Sequence, residues 1–214
     1  MNTVEMAKIT FNLVVLYVIG GLVMAYVYAV TSPIKFQKEK AEKEAALILM
    51  MPEADKVDKL GDWHPHEKHA EYYAARKCGE LKINTVKDEK TGEMKEEKEC
   101  LDPVDIGYIA EGYGKGYSSY IHILASVDRN FLVKKISILG HGETPGLGDE
   151  IEKDYFLDQF EGKSADNLVV IKGETEDKIV AITGATISTR AVTEDGVKMG
   201  VEMLQEKLSK EVTQ

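Results

Sequence analysis

Positive charge is in short supply in this chain. Its 214 residues include 27 lysines and arginines against 37 aspartates and glutamates, a formal net charge of −10 at pH 7. No basic stripe runs along it, which excludes a nucleic-acid partner, since neutralising phosphates needs a cationic surface. The acidic excess reads as a solubilising surface. Cysteine is scarcer still, with only Cys78 and Cys100. Neither C-x-x-C nor the haem-attachment pattern C-x-x-C-H occurs, so a cysteine-ligated cofactor is not expected. Also missing are G-x-G-x-x-G and Walker patterns, which removes nucleotide binding by those routes, and any internal repeat.

One stretch lacks charge altogether. From Ile9 to Ile34 there are 26 uncharged residues, almost continuously apolar over FNLVVLYVIGGLVMAYVYAV. A helix rises about 1.5 Å per residue, so roughly 20 such residues cross a bilayer core. A cleaved signal peptide has a shorter apolar region ending in a small-residue site; here no A-x-A follows, and Tyr26 and Tyr28 stand where interfacial aromatics would. The run is therefore expected to be a retained transmembrane helix. Lys8 precedes it, whereas Lys35, Lys38, Lys40 and Lys43 follow; by the positive-inside rule this count leans toward a cytoplasmic main part.

Beyond the span, KFQKEKAEKEAALILMM turns from charged to apolar and stops at Pro52, the pattern of a helix that leaves the membrane and docks by its last turns. Residues 55–104 are charge-rich without sustained periodicity and are expected to be an insertion region with short strands. Alternation of Ile121, Ile123, Ala125 and Val127, then Leu132, Ile136 and Ile138, around Asp128-Arg129-Asn130 predicts an antiparallel hairpin. Further strands are expected at 104–111, 168–171 and 179–182, with a short helix over 154–162. An amphipathic helix is expected over 189–210, with Val192, Gly196, Met199 and Met203 on one face and Val197, Val201, Leu204 and Leu208 on an adjoining one. The fold class is α+β. The expected organisation is a tail over 1–9, a transmembrane helix over 10–31, a connecting helix and charged insertion over 32–104, and one domain over 105–210 with an antiparallel sheet and flanking helices.

Two motifs carry chemistry. HGETPGLGDEIE, 141–152, packs three glycines and a proline into eight residues, a tight loop whose N–H groups can approach a ligand. AITGATISTRAV, 181–192, gathers Thr183, Thr186, Ser188 and Thr189 around Gly184 and Ala185 at a helix entrance. A Ser/Thr cap accounts for Ser188 or Thr189 but not for the cluster. The unpaired N–H groups and positive dipole end of a helix favour an anion there, so a hydroxyl at that point can bond a phosphate or be esterified to one. Cys78 and Cys100 flank a charged stretch and form a disulfide outside the cytoplasm, or remain free thiols inside it.

TGATISTRAV together with HGETPGLGD resembles the covalent-FMN-binding domain found in the G subunit of the Rnf complex, and in the related C subunit of the sodium-pumping NADH:quinone reductase. The resemblance takes in the N-terminal span, the AALILMMPEAD segment and residues 105 to about 208. It implies FMN joined through its phosphate to the hydroxyl of Thr186, the last residue of the S/T-G-A-T motif. Val180 stands where the family pattern usually has Asp. Thr183, Gly184, Ala185 and Ser188 would surround the attachment. Glu143, Thr144, Leu147 and Gly148 would supply hydrogen bonds and a wall, Leu147 packing on the isoalloxazine. A threonine hydroxyl is a poor nucleophile without an adjacent base, so a separate flavin transferase is implied. The resemblance also implies a single-pass protein of the cytoplasmic (inner) membrane with its flavin domain outside the cytoplasm, against the lysine count, and with it the Cys78–Cys100 disulfide.

The function so implied is that of a non-autonomous redox subunit, relaying electrons through FMN within an ion-translocating ferredoxin:NAD+ oxidoreductase beside the other Rnf subunits. The C subunit of the quinone reductase, a stand-alone extracytoplasmic flavoprotein and an anchored scaffold domain without flavin are the alternatives. His64, His66 and His69 lack the ligand set of a zinc site, so no metal is expected. Tyr113, Tyr117 and Tyr120 are assigned to the sheet and its surface, with stacking on flavin or on a partner subunit as the alternative.

Overall fold

The computed structural model describes residues 3–87 and 94–211. Met1 and Asn2 of the expected tail, and 88–93 within the charged stretch between the cysteines, lie outside the described residues. The chain divides into two compact units, Met1–Glu44 and Ala45–Gln214. The first consists of most of α1 (Thr3–Met50), the one described helix long and apolar enough to cross a membrane. Past the apolar run, Lys35–Glu39, Lys38–Glu42 and Lys40–Glu44 pair one helical turn apart, which suits a solvated continuation.

The second unit is built on a five-stranded antiparallel sheet of order β1-β2-β5-β6-β7. Its strands are β1 (Lys56–Trp63), β2 (Ala70–Lys77), β5 (Val104–Lys115), β6 (Tyr120–Asp128) and β7 (Val133–Gly140). The hairpin expected around 128–130 is β6–β7. Val133, rather than Leu132, points into the core, because the register shifts between Ser126 and Val127. Strands were expected within 55–104, but two of them, β1 and β2, belong to the main sheet, so the sheet reaches back to Lys56. β2 is buried on both faces, so Tyr72, Tyr73, Ala74 and Ala75 show no apolar–polar alternation, and β1 mixes charged and apolar residues. The other two, β3 (Glu80–Lys87) and β4 (Met94–Leu101), form a separate ribbon, at whose foot Cys78 and Cys100 are disulfide-bonded with Cα atoms 5.3 Å apart.

Alternation along the strands sends side chains to two cores. On one face Leu124, Ile109, Tyr73 and Ala75 receive Leu47 and Met50 from the end of α1 and Met51 just after it. On the other, Ile121, Ile123, Ala125 and Val127 pack against the C-terminal helix and the 151–182 segment. That segment holds α2 (Asp154–Leu157) and a parallel pair, β8 (Val170–Ile171) and β9 (Ile179–Val180). The C-terminal helix begins as α3 (Thr186–Arg190), widens into a π-helical stretch over Ala191–Lys198, and ends as α4 (Met199–Glu211). The widening shifts the buried stripe: Val192, Val197, Val201 and Leu204 are buried while Met199 and Met203 are half-buried.

Glycines on β5 let this helix lie directly on the strand. A Cβ on Gly114 would stand 1.8 Å from the Ala191 carbonyl oxygen, and one on Gly112 would stand 2.8 Å from that of Gly196. Backbone thus meets backbone, and the start of the helix is fixed over the sheet.

Candidate functional site

The loop leaving β7 curls tightly. The Thr144 carbonyl accepts the N–H groups of Leu147 at 3.2 Å and Gly148 at 3.0 Å, with Gly146 at φ +74° making the turn possible. Gly142 N–H donates to Ser119 Oγ at 2.7 Å, and His141 Nε2 meets Glu152 Oε1 at 3.0 Å. Against this loop lies the Thr183–Thr186 turn, where Gly184 adopts φ +82° and a Cβ on it would stand 3.1 Å from Leu147 Cδ2. Gly148 is equally confined: a Cβ there would be 2.7 Å from Glu143 Cβ and 3.1 Å from Ser188 Oγ.

Glu143 ties the segments together. Only 6% exposed, it accepts from the N–H of Tyr117 on Oε2 at 3.0 Å, and from those of Ser118 at 3.0 Å and Ser119 at 3.3 Å on Oε1. Ser188 Oγ donates to the same Oε2 at 2.5 Å. Burial pushes this carboxyl up, but the bonds from Ser188, Ser118, Tyr117 and Ser119 outweigh it and hold the group below the ordinary value of 4.5. A depressed folded-state pKa means stabilisation that is present above pH 4.5 and is lost as pH falls through the folded value. Glu143→Gln is accordingly expected to cost about 1–3 kcal/mol at pH 7, because donors turned toward a charge lose it. It should also flatten the acid limb of the stability curve below pH 4.5, as measured by denaturant titration from pH 7 to 3.

The four hydroxyls divide by role. Thr189 Oγ1 accepts the Ile182 N–H at 3.1 Å and donates to the Ala185 carbonyl at 2.9 Å, locking the turn to the helix. Ser188 is committed to Glu143. Thr183 is exposed and Thr186 half-exposed, and neither hydroxyl has a hydrogen-bond partner among the described residues. Thr186 opens α3, whose first N–H groups have no carbonyl one turn back. Ala185 is buried and Thr144 exposed, while Leu147, 46% exposed against Gly184, and Ile187, 53% exposed and next to Thr186 in the chain, present apolar surface. Val180 closes β9, its N–H donating to Gln159 Oε1 at 2.7 Å.

Sequence reasoning did not find Ile187, the backbone of 117–119, or Asp149, whose Oδ1 is buried without a partner among the described residues. Exposure and orphaned atoms leave no local sequence signal. Away from this region, His69 Nε2 lies 3.1 Å from Asp62 Oδ1, and Glu71 is close by. Lys59 Nζ already sits between the two carboxylates, 2.7 Å from Asp62 and 2.5 Å from Glu71.

An unpartnered hydroxyl at a helix start and exposed apolar side chains on the two contacting loops suit a ligand with a phosphate and a flat apolar part. The family described as FMN-binding domain matches residues 116–199, from the Tyr117 turn to the π-helical stretch. The G subunit of the proton-translocating ferredoxin:NAD(+) oxidoreductase complex of Clostridium ljungdahlii is 35% identical over 200 residues, covering 92% of this chain and 90% of that protein. The chain belongs to the G-subunit family. A second member, the G subunit of the Na(+)-translocating ferredoxin:NAD(+) oxidoreductase complex of Acetobacterium woodii, is 40% identical over 105 residues, covering 47% of this chain and 50% of that one. The crystal structure of Shewanella oneidensis NqrC is similar with a TM-score of 0.46 at 20% identity, covering 72% of this chain and 70% of that one. All the residues of the two contacting loops fall within the FMN-binding match, and the span and the β1–β2 strands fall before it.

Proposed function

We propose that this G-subunit family protein relays electrons within a membrane-bound, ion-translocating ferredoxin:NAD+ oxidoreductase complex, through FMN joined by a phosphoester to Thr186. The observation that carries the reading is the division of the hydroxyls. Two of the four are consumed in holding the two loops together, and of the remaining pair only Thr186 stands at the opening of a helix, where a phosphodiester charge is favoured. FMN supplies one-electron steps between neighbouring centres, and everything else falls to the chain. Leu147 offers an apolar wall, and Gly148 and Gly184 let the two loops close on each other. Glu143 acts as a positioning residue, since its carboxylate is occupied by donors of the chain itself.

Among the described residues no general base is bonded to Thr186, so its hydroxyl is not activated by them and a separate flavin transferase makes the ester. The flavin domain lies outside the cytoplasm, a reading supported by the Cys78–Cys100 disulfide. There a covalent bond also prevents loss of a cofactor that the cell could not readily recover. The remaining partners are the membrane and peripheral subunits of the same complex. Intact mass of the full chain co-produced with its flavin transferase tests the reading. An increase equal to FMN less one water is expected, and an unmodified chain beside a modified positive-control substrate overturns it.

A further inference from the structure

The loop over 141–152 is closed by its own first and last residues. His141 directly follows β7, its side chain is 12% exposed, and its one imidazole reaches both ends of the loop. Nδ1 accepts the N–H of Glu143 at 3.1 Å, and Nε2 lies 3.0 Å from Oε1 of Glu152, the last residue of the helical turn over Gly148–Glu152. A backbone N–H can only donate, so Nδ1 carries no proton; an ionised carboxylate can only accept, so Nε2 carries one. Both bonds are therefore made together in a single form of the ring, the neutral Nε2–H tautomer.

Between these two contacts lies the part of the loop that faces the other motif. The chain turns on the Thr144 carbonyl and carries Leu147, whose Cδ2 would lie 3.1 Å from a Cβ on Gly184 in the Thr183–Thr186 turn. Glu143, whose N–H the ring accepts, is 6% exposed and joins the 117–119 turn to Ser188 through its carboxylate. Gly142, between the two, donates its N–H to Ser119 Oγ at 2.7 Å. Loss of the imidazole would leave the Glu143 N–H without this acceptor and the two ends of the loop without their link, so the Glu143 junction and Leu147 would loosen together.

We infer that His141 is a positioning residue of the flavin site, clamping the loop in its neutral Nε2–H form so that Leu147 and the Glu143 junction are held against the turn that carries FMN on Thr186. The inference rests on the attachment reading above. An asparagine at this position can also accept the N–H two residues on, as in an Asx turn, and so keeps the first of the two bonds. A leucine fills the space and keeps neither.

Iodide, a collisional quencher of flavin fluorescence, reports how openly the isoalloxazine meets solvent. The full chain carrying FMN, in detergent, is compared as wild type, His141→Leu, His141→Asn, Glu152→Ala and His69→Leu, with intact mass taken on each. The quenching constant is expected to rise several-fold in His141→Leu, to return most of the way to wild type in His141→Asn, and to be unchanged in His69→Leu, whose ring meets Asp62 on β1. Glu152→Ala removes the second contact at an exposed residue and is expected to raise the constant by a smaller amount. A wild-type constant in FMN-carrying His141→Leu, or one in His141→Asn as high as in His141→Leu, overturns the positioning role. Where His141→Leu does not fold, an unchanged constant in Glu152→Ala overturns it. Nitrogen NMR of the wild-type chain with isotope-labelled histidine is expected to show the His141 proton on Nε2, and a proton on Nδ1 overturns the clamp. Wild type without added mass overturns the attachment reading and this inference with it, and the mass spectrum alone tells that case apart.

Discussion

Thr186→Val chains co-produced with a flavin transferase are expected to show no flavin fluorescence on a denaturing gel and no added mass, while Thr183→Val chains remain labelled. The contrast is large because a phosphoester needs a hydroxyl and valine, of comparable shape, has none. It is interpretable because Thr186 Oγ1 makes no hydrogen bond to the described residues, so its removal leaves no buried group unsatisfied. Stability of the unlabelled Thr186→Val chain should stay within about 0.5 kcal/mol of unlabelled wild type, the range of surface substitutions that break no special feature. Labelling retained in Thr186→Val and lost in Thr183→Val would move the attachment to the first threonine of the motif. Loss in both would point to the turn, rather than one hydroxyl, as what the transferase reads.

Gly114→Ala is expected to be the most damaging single methyl in the domain. The added Cβ would fall 1.8 Å from the carbonyl oxygen of Ala191, and a backbone atom cannot swing aside as a side-chain tip can. Strand β5 and the π-helical stretch would have to separate, at a cost of about 3 kcal/mol or more, the upper end of overpacking effects. Ala191 directly follows α3, so the displacement passes to Ser188 and Thr189, the two hydroxyls that tie α3 to the loops, and flavin labelling should fall along with stability. Gly140→Ala serves as the control: it is also a strand glycine, its added Cβ meets nothing within 4 Å, and its φ is not in the left-handed region. A denaturant midpoint that drops for Gly114→Ala and holds for Gly140→Ala confirms the close approach. Equal midpoints would show that the helix does not rest on the strand as described.

Much of the framework was legible without coordinates because it depends on short-range periodicity. The 26 uncharged residues from Ile9 to Ile34 specify a spanning helix by length alone. Alternation at Ile121, Ile123, Ala125 and Val127 specifies a half-buried strand, and all four are buried on one face. Where periodicity was weak the reading stopped short. In β1 and β2 lysines, glutamates and tyrosines share the strand with small residues, and only pairing with β5 shows that they complete the main sheet. The π-helical stretch was invisible as well, because one widened turn displaces the apolar stripe without removing it: Val192, Val197, Val201 and Leu204 fit a helix of either kind over so short a run.

By itself, the sequence determined the membrane span, the α+β class, the two motifs and the small set of hydroxyls from which an acceptor has to come, since each is written in neighbouring residues. Only the tertiary structure decided which hydroxyls are spoken for. Ser188 is committed by Glu143, which lies 45 positions away, and Thr189 by a turn that closes on it from Ile182 and Ala185. A hydroxyl is available for chemistry when nothing else in the fold bonds it, and that is a property of partners distant in the chain.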